Sequence, residues 1–335
     1  MKAIGFQQAL PISDPNALVN IEVPQPMAYG RDLLVRVEAV SVNPVDTKIR
    51  TRSSAENDEF IVLGWDAVGT VEAVGEGVRL FSPGERVWYA GAIDRPGTNA
   101  EYHLVNECIV GKAPVSISSE QAAALPLTSI TAWEMLFDRF ALNSESSGIL
   151  LIIGGAGGVG SVMIQLARRL TNLTIVASAS RPETQNWVLQ MGAHYVVNHH
   201  NSLLTEFSAI GLNCANYIAS LTNTHEHFPE IIDLIAPQGK LGVIDDPATL
   251  DVIPLKRKSI SLHWEFMFTR SLFATSDMIE QNRLLSNVAF MVDSGEIQST
   301  LVNHYGAINA ANLMRAHAML ESGKSWGKIV LSGFD

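Results

Sequence analysis

The sequence predicts an α/β fold in which a doubly wound parallel sheet is joined to a smaller β-rich domain. Three observations predict it. A glycine-dense turn, Gly154 to Gly160, links the apolar, strand-like 148–153 to the helix-like 162–170. From about residue 123 to 266, strand-like segments alternate with helix-length ones, the pattern of parallel strands joined by crossover helices. Ahead of residue 122 the chain shows short alternating strands punctuated by Gly and Pro instead, as in a compact β domain.

The elements run in order along the chain. The first block has strands at 33–40, 67–75, 86–89 and 100–105. In the second they fall at 148–153, 174–177, 195–197, 217–219, 240–244 and 259–266. The last block, 275–335, reads helix, strand, helix, strand, and its segments 307–320 and 328–331 return to complete the first domain. The expected domains are therefore 1–122 completed by 267–335, and 123–266. A chain of 335 residues exceeds one typical core and suits two domains. Neither internal repeats nor low-complexity tracts interrupt it.

Composition narrows the class. Apolar residues make up 47% of the chain and charged residues 17%, which is globular and well buried. A formal net charge of −11 with no basic stripe argues against nucleic acid or an anionic membrane as partner. The cationic run Lys256-Arg257-Lys258 reads as a solvated turn before a strand. No apolar stretch approaches the ~20 residues of a membrane span, and the N-terminus starts as a strand without a signal-peptide core. The expectation is a soluble, cytoplasmic protein. Cys108 and Cys214 are too few for a disulfide framework or a multi-cysteine metal site.

Gly155, Gly157 and Gly160 match G-x-G-x-x-G, each omitting a Cβ for a reason: a tight turn, close backbone approach to phosphate, and close packing of helix on strand. A pyrophosphate would sit on the unpaired amides that open the helix, at Gly158 and Val159. The end of the next strand selects the dinucleotide. NAD sites place Asp or Glu there for the ribose hydroxyls, whereas NADP sites accommodate the 2′-phosphate with Arg. Here the chain reads Ser178-Ala179-Ser180-Arg181-Pro182, and the first carboxylate, Glu183, lies beyond the proline. Ser178, Ser180 and Arg181 thus point to NADPH, Arg supplying a planar fork for phosphate; a solvated loop Arg is the alternative. His199-His200 and His225-Glu226-His227 fall in predicted surface turns of this domain and are not read as metal ligands.

Several ordered motifs resemble the medium-chain dehydrogenase/reductase superfamily, in its zinc-free quinone oxidoreductase branch, nearly end to end. They are Ser41 to Arg50 (Ser-Val-Asn-Pro-Val-Asp-Thr-Lys-Ile-Arg), Leu63 to Val71, Pro83 to Val87, Ala122 to Trp133, the glycine loop, and Gly327-Lys328-Ile329-Val330. The stretch Leu262 to Ser271 is closer still to members labelled zinc-type alcohol dehydrogenase-like proteins. This resemblance implies a Rossmann domain beside a GroES-like, β-rich catalytic domain. It implies too that the 259–266 strand pairs across a two-fold axis in a homodimer, since an uncovered apolar edge is a liability.

Zinc members hold the catalytic metal with Cys, His and Cys, leaving a fourth position for substrate. By resemblance those positions are Asn43, Trp65 and Leu127 here, with Asp66 beside them, and none of the three is a zinc ligand. The resemblance therefore implies hydride transfer assisted by hydrogen-bond donors. Asn43 is the expected catalytic donor, or only the turn residue ahead of Pro44. Lys48 stands where relatives place a proton relay, and Asp46 is expected to orient the backbone or Lys48. Thr131 would face the nicotinamide and His199 would pack on the adenosine phosphate. The substrate classes implied are enone, quinone and aldehyde; residues 50–59, in the segment Ile49 to Phe60 where quinone reductases often carry an aromatic residue, have none, which argues against quinone. Two alternatives stay open, a redox-inactive NADPH binder and a zinc alcohol dehydrogenase.

Overall fold

A computed structural model, which describes residues 1–57 and 59–335, divides the chain into two units: Met1–Ile130 with Phe268–Asp335, and Thr131–Met267. The first unit opens with β1 (Lys2–Phe6), β2 (Val19–Glu22), β3 (Asp32–Val42), α1 (Pro44–Arg52), β4 (Ile61–Val62), β5 (Asp66–Val74), β6 (Arg86–Tyr89), β7 (Tyr102–Asn106), β8 (Val110–Lys112) and α2 (Ser119–Ala123). α3 (Pro126–Trp133) comes next and runs into a π-helical segment, Glu134–Arg139. The second unit contributes β9 (Ser147–Ile153), α4 (Gly158–Leu170), β10 (Asn172–Ser178), α5 (Pro182–Gln190), β11 (Tyr195–Val197), α6 (Leu203–Ala209), β12 (Ala215–Ser220), α7 (Thr224–Leu234), β13 (Ile235–Val243) and β14 (Ser261–Trp264). The chain then returns to the first unit as α8 (Thr269–Leu272), α9 (Glu280–Asp293), β15 (Leu301–His304), α10 (Ala310–Glu321) and β16 (Lys328–Ser332).

β3 is the spine of the first unit. Its Leu33, Leu34, Val35, Val37, Ala39, Val40 and Val42 are all buried, because β5, β7 and β16 pair with it antiparallel. The sheet runs β15-β16-β3-β5-β6-β8, with β7 also on β3. In the β16–β3 register, Ile329 pairs with Val42 and Val330 with Ser41. Lys328, opening β16, therefore lies at the end of β3, where the chain turns into α1.

In the second unit all six strands are parallel, in the order β11-β10-β9-β12-β13-β14. Counted within this unit, that is the 3-2-1-4-5-6 order of the dinucleotide-binding fold. Parallel strands covered on both faces read as continuous apolar runs. Leu150 to Ile153 is one, fully buried, and α4 packs Val162, Met163, Ile164, Leu166 and Ala167 inward. Edge strand β14 leaves Trp264 exposed at 52%, with Phe266 just beyond it at 47%.

Three local expectations change. β14 is shorter than 259–266, because Ser259 adopts left-handed φ of 54° as it ends a 3₁₀ turn at Ile253–Lys258. Lys258 is not simply solvated: its Nζ donates to the carbonyls of Ile232, Asp233 and Ile235 at 2.8, 2.8 and 2.9 Å, a cation closing the C-terminus of α7. His225, Glu226 and His227 lie in the first turn of α7 rather than in a loop, since Asp245 caps that turn through the Thr224 amide at 2.9 Å. Among the described residues no helix is long and apolar enough to cross a membrane.

Candidate active site

The glycine loop of the second unit is pinned to Ser178 at the end of β10. Gly154, at φ +80°, donates its amide to the Ser178 hydroxyl oxygen at 3.0 Å, and the Gly155 amide donates to the Ser178 carbonyl at 3.2 Å. A Cβ on Gly155 would stand 2.8 Å from the Ala177 Cβ, and one on Gly160 would stand 2.5 and 2.7 Å from the carbonyl oxygens of Gly155 and Gly154. Packing forbids both. Gly157 differs: as N-cap of α4, with an ordinary φ of −70°, its Cβ would meet only the Gly154 oxygen, at 3.5 Å. Nothing in the protein requires glycine there, and the space a side chain would take lies at the opening of a helix whose first amides, Gly158 and Val159 among them, have no intrahelical acceptor. That cradle, at the positive end of α4, fits a pyrophosphate.

The end of β10 is less simple than its sequence. Ser178 is 1% exposed and its oxygen braces the loop at Gly154, so its hydroxyl is a support of the loop and not a phosphate contact. Ser180 is half-buried. Arg181 keeps 38% of its side chain exposed and approaches the Glu183 carboxylate, Nε to Oε1 3.4 Å; a 2′-phosphate would compete with that carboxylate. His199, just past β11, is half-buried, with ring centroids of His200 and His227 4.9 and 6.2 Å away. Burial, then the two neighbouring imidazoles, pushes its pKa down, which favours the neutral ring. Among the described residues, no three His, Cys, Asp or Glu side chains are placed to hold a metal.

In the first unit the structure draws Asn43, Leu127 and Lys328 around one buried carboxylate, Asp66. Asp66 accepts from the Ser41 hydroxyl (2.6 Å), the Asn43 amide nitrogen (2.7 Å), the Leu127 backbone (2.7 Å) and the Lys328 ammonium (3.0 Å). Lys328 Nζ also donates to the Val42 carbonyl at 3.2 Å and to Asn43 Oδ1. Asp66, Asn43 and Lys328 are 0, 1 and 3% exposed. Among the described residues the second amide hydrogen of Asn43 meets the Ser41 carbonyl at 3.5 Å, the long limit of a hydrogen bond. Asp46, on the first turn of α1, accepts from the Asn43 backbone amide at 2.7 Å. Burial raises its carboxyl to about 7; Asp66 adds to this, and the Asn43 amide and Lys328 oppose it.

Lys48 is half-buried on α1. That helix is anchored by Arg50, fully buried, which reaches the Leu10 carbonyl, the Glu321 carboxylate and His317 Nδ1, the last at 3.3 Å. Thr131, on α3, is 5% exposed and opens the second unit. Also in that unit, Arg139 Nε donates to Glu265 Oε2 at 2.8 Å. Burial first, and then Glu134, holds the Glu265 carboxyl well above the usual range. The Arg139 ion pair opposes that rise without cancelling it, so Glu265 favours its protonated form.

The three positions that would carry zinc do not fit the metal. The Asn43 amide is bonded to Asp66 and Lys328, Trp65 donates Nε1 to the Ala92 carbonyl at 3.2 Å, and Leu127 has an apolar side chain. A dication beside Asp66 would also face the Lys328 ammonium. The motif Gly327-Lys328-Ile329-Val330 marks Lys328 in the sequence, but not its role beside Asn43, which lies 285 residues away along the chain.

Comparison with known proteins places these features in a family. Residues 30–115 match the alcohol dehydrogenase GroES-like domain and residues 191–331 the zinc-binding dehydrogenase family. A protein of Staphylococcus aureus (strain MRSA252) named zinc-type alcohol dehydrogenase-like protein is 42% identical over 99% of this chain and 100% of its own. Human quinone oxidoreductase is 29% identical over 70% of each chain. The crystal structure of a Rhizobium etli CFN 42 protein, provisionally described as a zinc-dependent alcohol dehydrogenase, has a TM-score of 0.96 at 51% identity, covering 100% of this chain and 98% of the other. Escherichia coli quinone oxidoreductase complexed with NADPH shares the fold, with a TM-score of 0.83 at 23% identity over 99% and 100% of the two chains. The chain belongs to the zinc-type alcohol dehydrogenase-like proteins of the medium-chain dehydrogenase/reductase superfamily, and is an oxidoreductase of that family.

Proposed function

We propose that this oxidoreductase is an NADPH-dependent reductase of an enone, quinone or aldehyde that works without a metal ion. The observation that supports the reading is the network around Asp66, in which Asn43, at a ligand position of the zinc members by resemblance, is an oriented amide bonded to a buried ammonium. Bound NADPH would supply the hydride. The chain's own residues do the rest. Gly157 to Val159 seat the pyrophosphate, and Arg181 exchanges Glu183 for the 2′-phosphate. The second N–H of Asn43 donates to the acceptor oxygen as it gains charge, Asp46 holds the backbone of that loop, and Lys48 returns a proton. The burial of Asn43 to 1% favours one other reading, a nucleotide binder without turnover.

Single-turnover oxidation of bound NADPH by a panel of enones, quinones and aldehydes separates the two. Reduction of at least one class is expected. Asn43→Ala should lower kcat by about 100-fold, as removal of an oxyanion donor does, with NADPH affinity unchanged. A panel that oxidises no NADPH leaves the binder reading, and undiminished turnover in the Asn43 variant removes the amide from the chemistry.

A further inference from the structure

We propose that Lys328 is a positioning residue for reduction: its ammonium, not a metal ion, fixes and polarises the Asn43 amide. This role rests on Asn43 being the donor to the acceptor oxygen. An ammonium has three hydrogens and no acceptor, and Nζ meets three acceptors: the Val42 carbonyl, Asn43 Oδ1 and Asp66 Oδ2. Its three donors are matched by three acceptors, and the residue is 3% exposed.

The valence of Lys328 dictates the orientation of Asn43. A group that only donates stands at one end of the amide and a carboxylate that accepts stands at the other, so Oδ1 must face Lys328 and the NH₂ must face Asp66. One N–H is committed to Asp66 at 2.7 Å; among the described residues the other meets the Ser41 carbonyl at 3.5 Å. A cation on Oδ1 draws electron density from the amide nitrogen and strengthens both N–H groups as donors, as linked hydrogen bonds polarise one another in a low dielectric. Asp66 keeps the ammonium neutralised, so the buried centre holds a charged donor without a net charge.

The fold delivers Lys328 by register. β16 pairs antiparallel with β3, Ile329 opposite Val42, which sets the preceding residue against the turn carrying Asn43. Gly327, at φ +54°, makes the entry, and a Cβ on it would lie 2.3 Å from Val302 Cγ2. Strand pairing holds Lys328 on both sides, opposite Leu301 of β15 and next to the Ile329–Val42 pair with β3.

Two variants test the proposal, measured beside Asn43→Ala in the full-length protein. Lys328→Met leaves Asp66 without its counter-charge, whereas Lys328→Met with Asp66→Asn removes both charges and keeps the centre neutral. If Lys328 orients and polarises Asn43, the double variant folds with wild-type NADPH affinity and yet has kcat reduced about 10- to 100-fold, up to the loss seen for one missing donor. Zinc stoichiometry stays at zero in every form. Wild-type kcat in either variant, while Asn43→Ala is impaired, overturns the role of Lys328 alone. Wild-type kcat in Asn43→Ala overturns both readings. Equal losses of NADPH affinity and kcat in the double variant assign Lys328 to the fold and overturn the proposal, as does one zinc per chain in the native protein.

Discussion

Two glycines of one loop should fail in different ways when given a methyl group. At Gly160 the added Cβ would sit 2.5 and 2.7 Å from two carbonyl oxygens of the same loop, and neither can retreat, because Gly154 and Gly155 are tied by their amides to Ser178. Overpacking of this kind costs about 2 kcal/mol or more, which for a unit of this size lowers Tm by roughly 4–8 °C. At Gly157 the Cβ would meet one oxygen at 3.5 Å, an ordinary contact, and φ of −70° suits any residue. Losing glycine from an N-cap costs a few tenths of a kcal/mol to about 1, and the stiffer unfolded chain returns about 0.4–1. Gly157→Ala should therefore keep its Tm within about 2 °C of wild type and lose NADPH affinity by at least about tenfold, since the methyl takes the space the pyrophosphate needs. Differential scanning calorimetry with and without NADPH, together with cofactor titration by fluorescence, separates stability from binding. Wild-type NADPH affinity in Gly157→Ala refutes the cradle; wild-type Tm in Gly160→Ala refutes the packing argument.

Charge sets two further outcomes. Arg181→Ala should weaken NADPH by about 10- to 100-fold, equivalent to about 1.5–3 kcal/mol for a charged hydrogen bond, while NADH affinity stays put; equal effects on both cofactors in titration would remove Arg181 from the 2′-phosphate. Asp46, raised to about 7 by burial, binds its proton more tightly folded than unfolded, so its contribution makes stability fall as pH rises from about 3.8 to about 7. Asp46→Asn, which keeps an acceptor for the Asn43 amide, should gain on wild type across that window, by up to roughly 4 kcal/mol for a shift of this size. Urea unfolding at several pH values that gives parallel curves for the two proteins would show that Asp46 titrates normally.

What the sequence made legible was local. The glycine loop, the apolar runs of β9 and β10 and the helix between them announce themselves within thirty or so residues, because turn chemistry and periodicity are short-range properties. Direction was not legible. Ser178 stands at the right place for a phosphate contact, yet its side chain turns into the loop, where the Gly154 amide needs an acceptor. Lys258 looked solvated because the carbonyls it closes belong to a helix that ends more than twenty residues earlier. Asn43 was singled out for its position, but what its amide bonds to was hidden until β16 was paired with β3. In each case the missing information was the far partner of a buried polar group.

That dependence on distant partners has a physical consequence at Asp66. A carboxylate with no exposure must find its donors inside the protein, and here they come from β3 through Ser41, from the turn after it through Asn43, from the start of α3 through Leu127 and from the last strand through Lys328. The charge is thus compensated only when both chain segments of the first unit are assembled. A metal would impose the same condition by gathering its ligands, with two positive charges and a preferred geometry. An ammonium on a backbone-fixed strand brings one charge and donors that match three acceptors, which suffices to set an amide but not to bind an oxygen as a Lewis acid does. On the proposed reading, such a centre would polarise the carbonyl of an enone, quinone or aldehyde rather than ionise an alcohol.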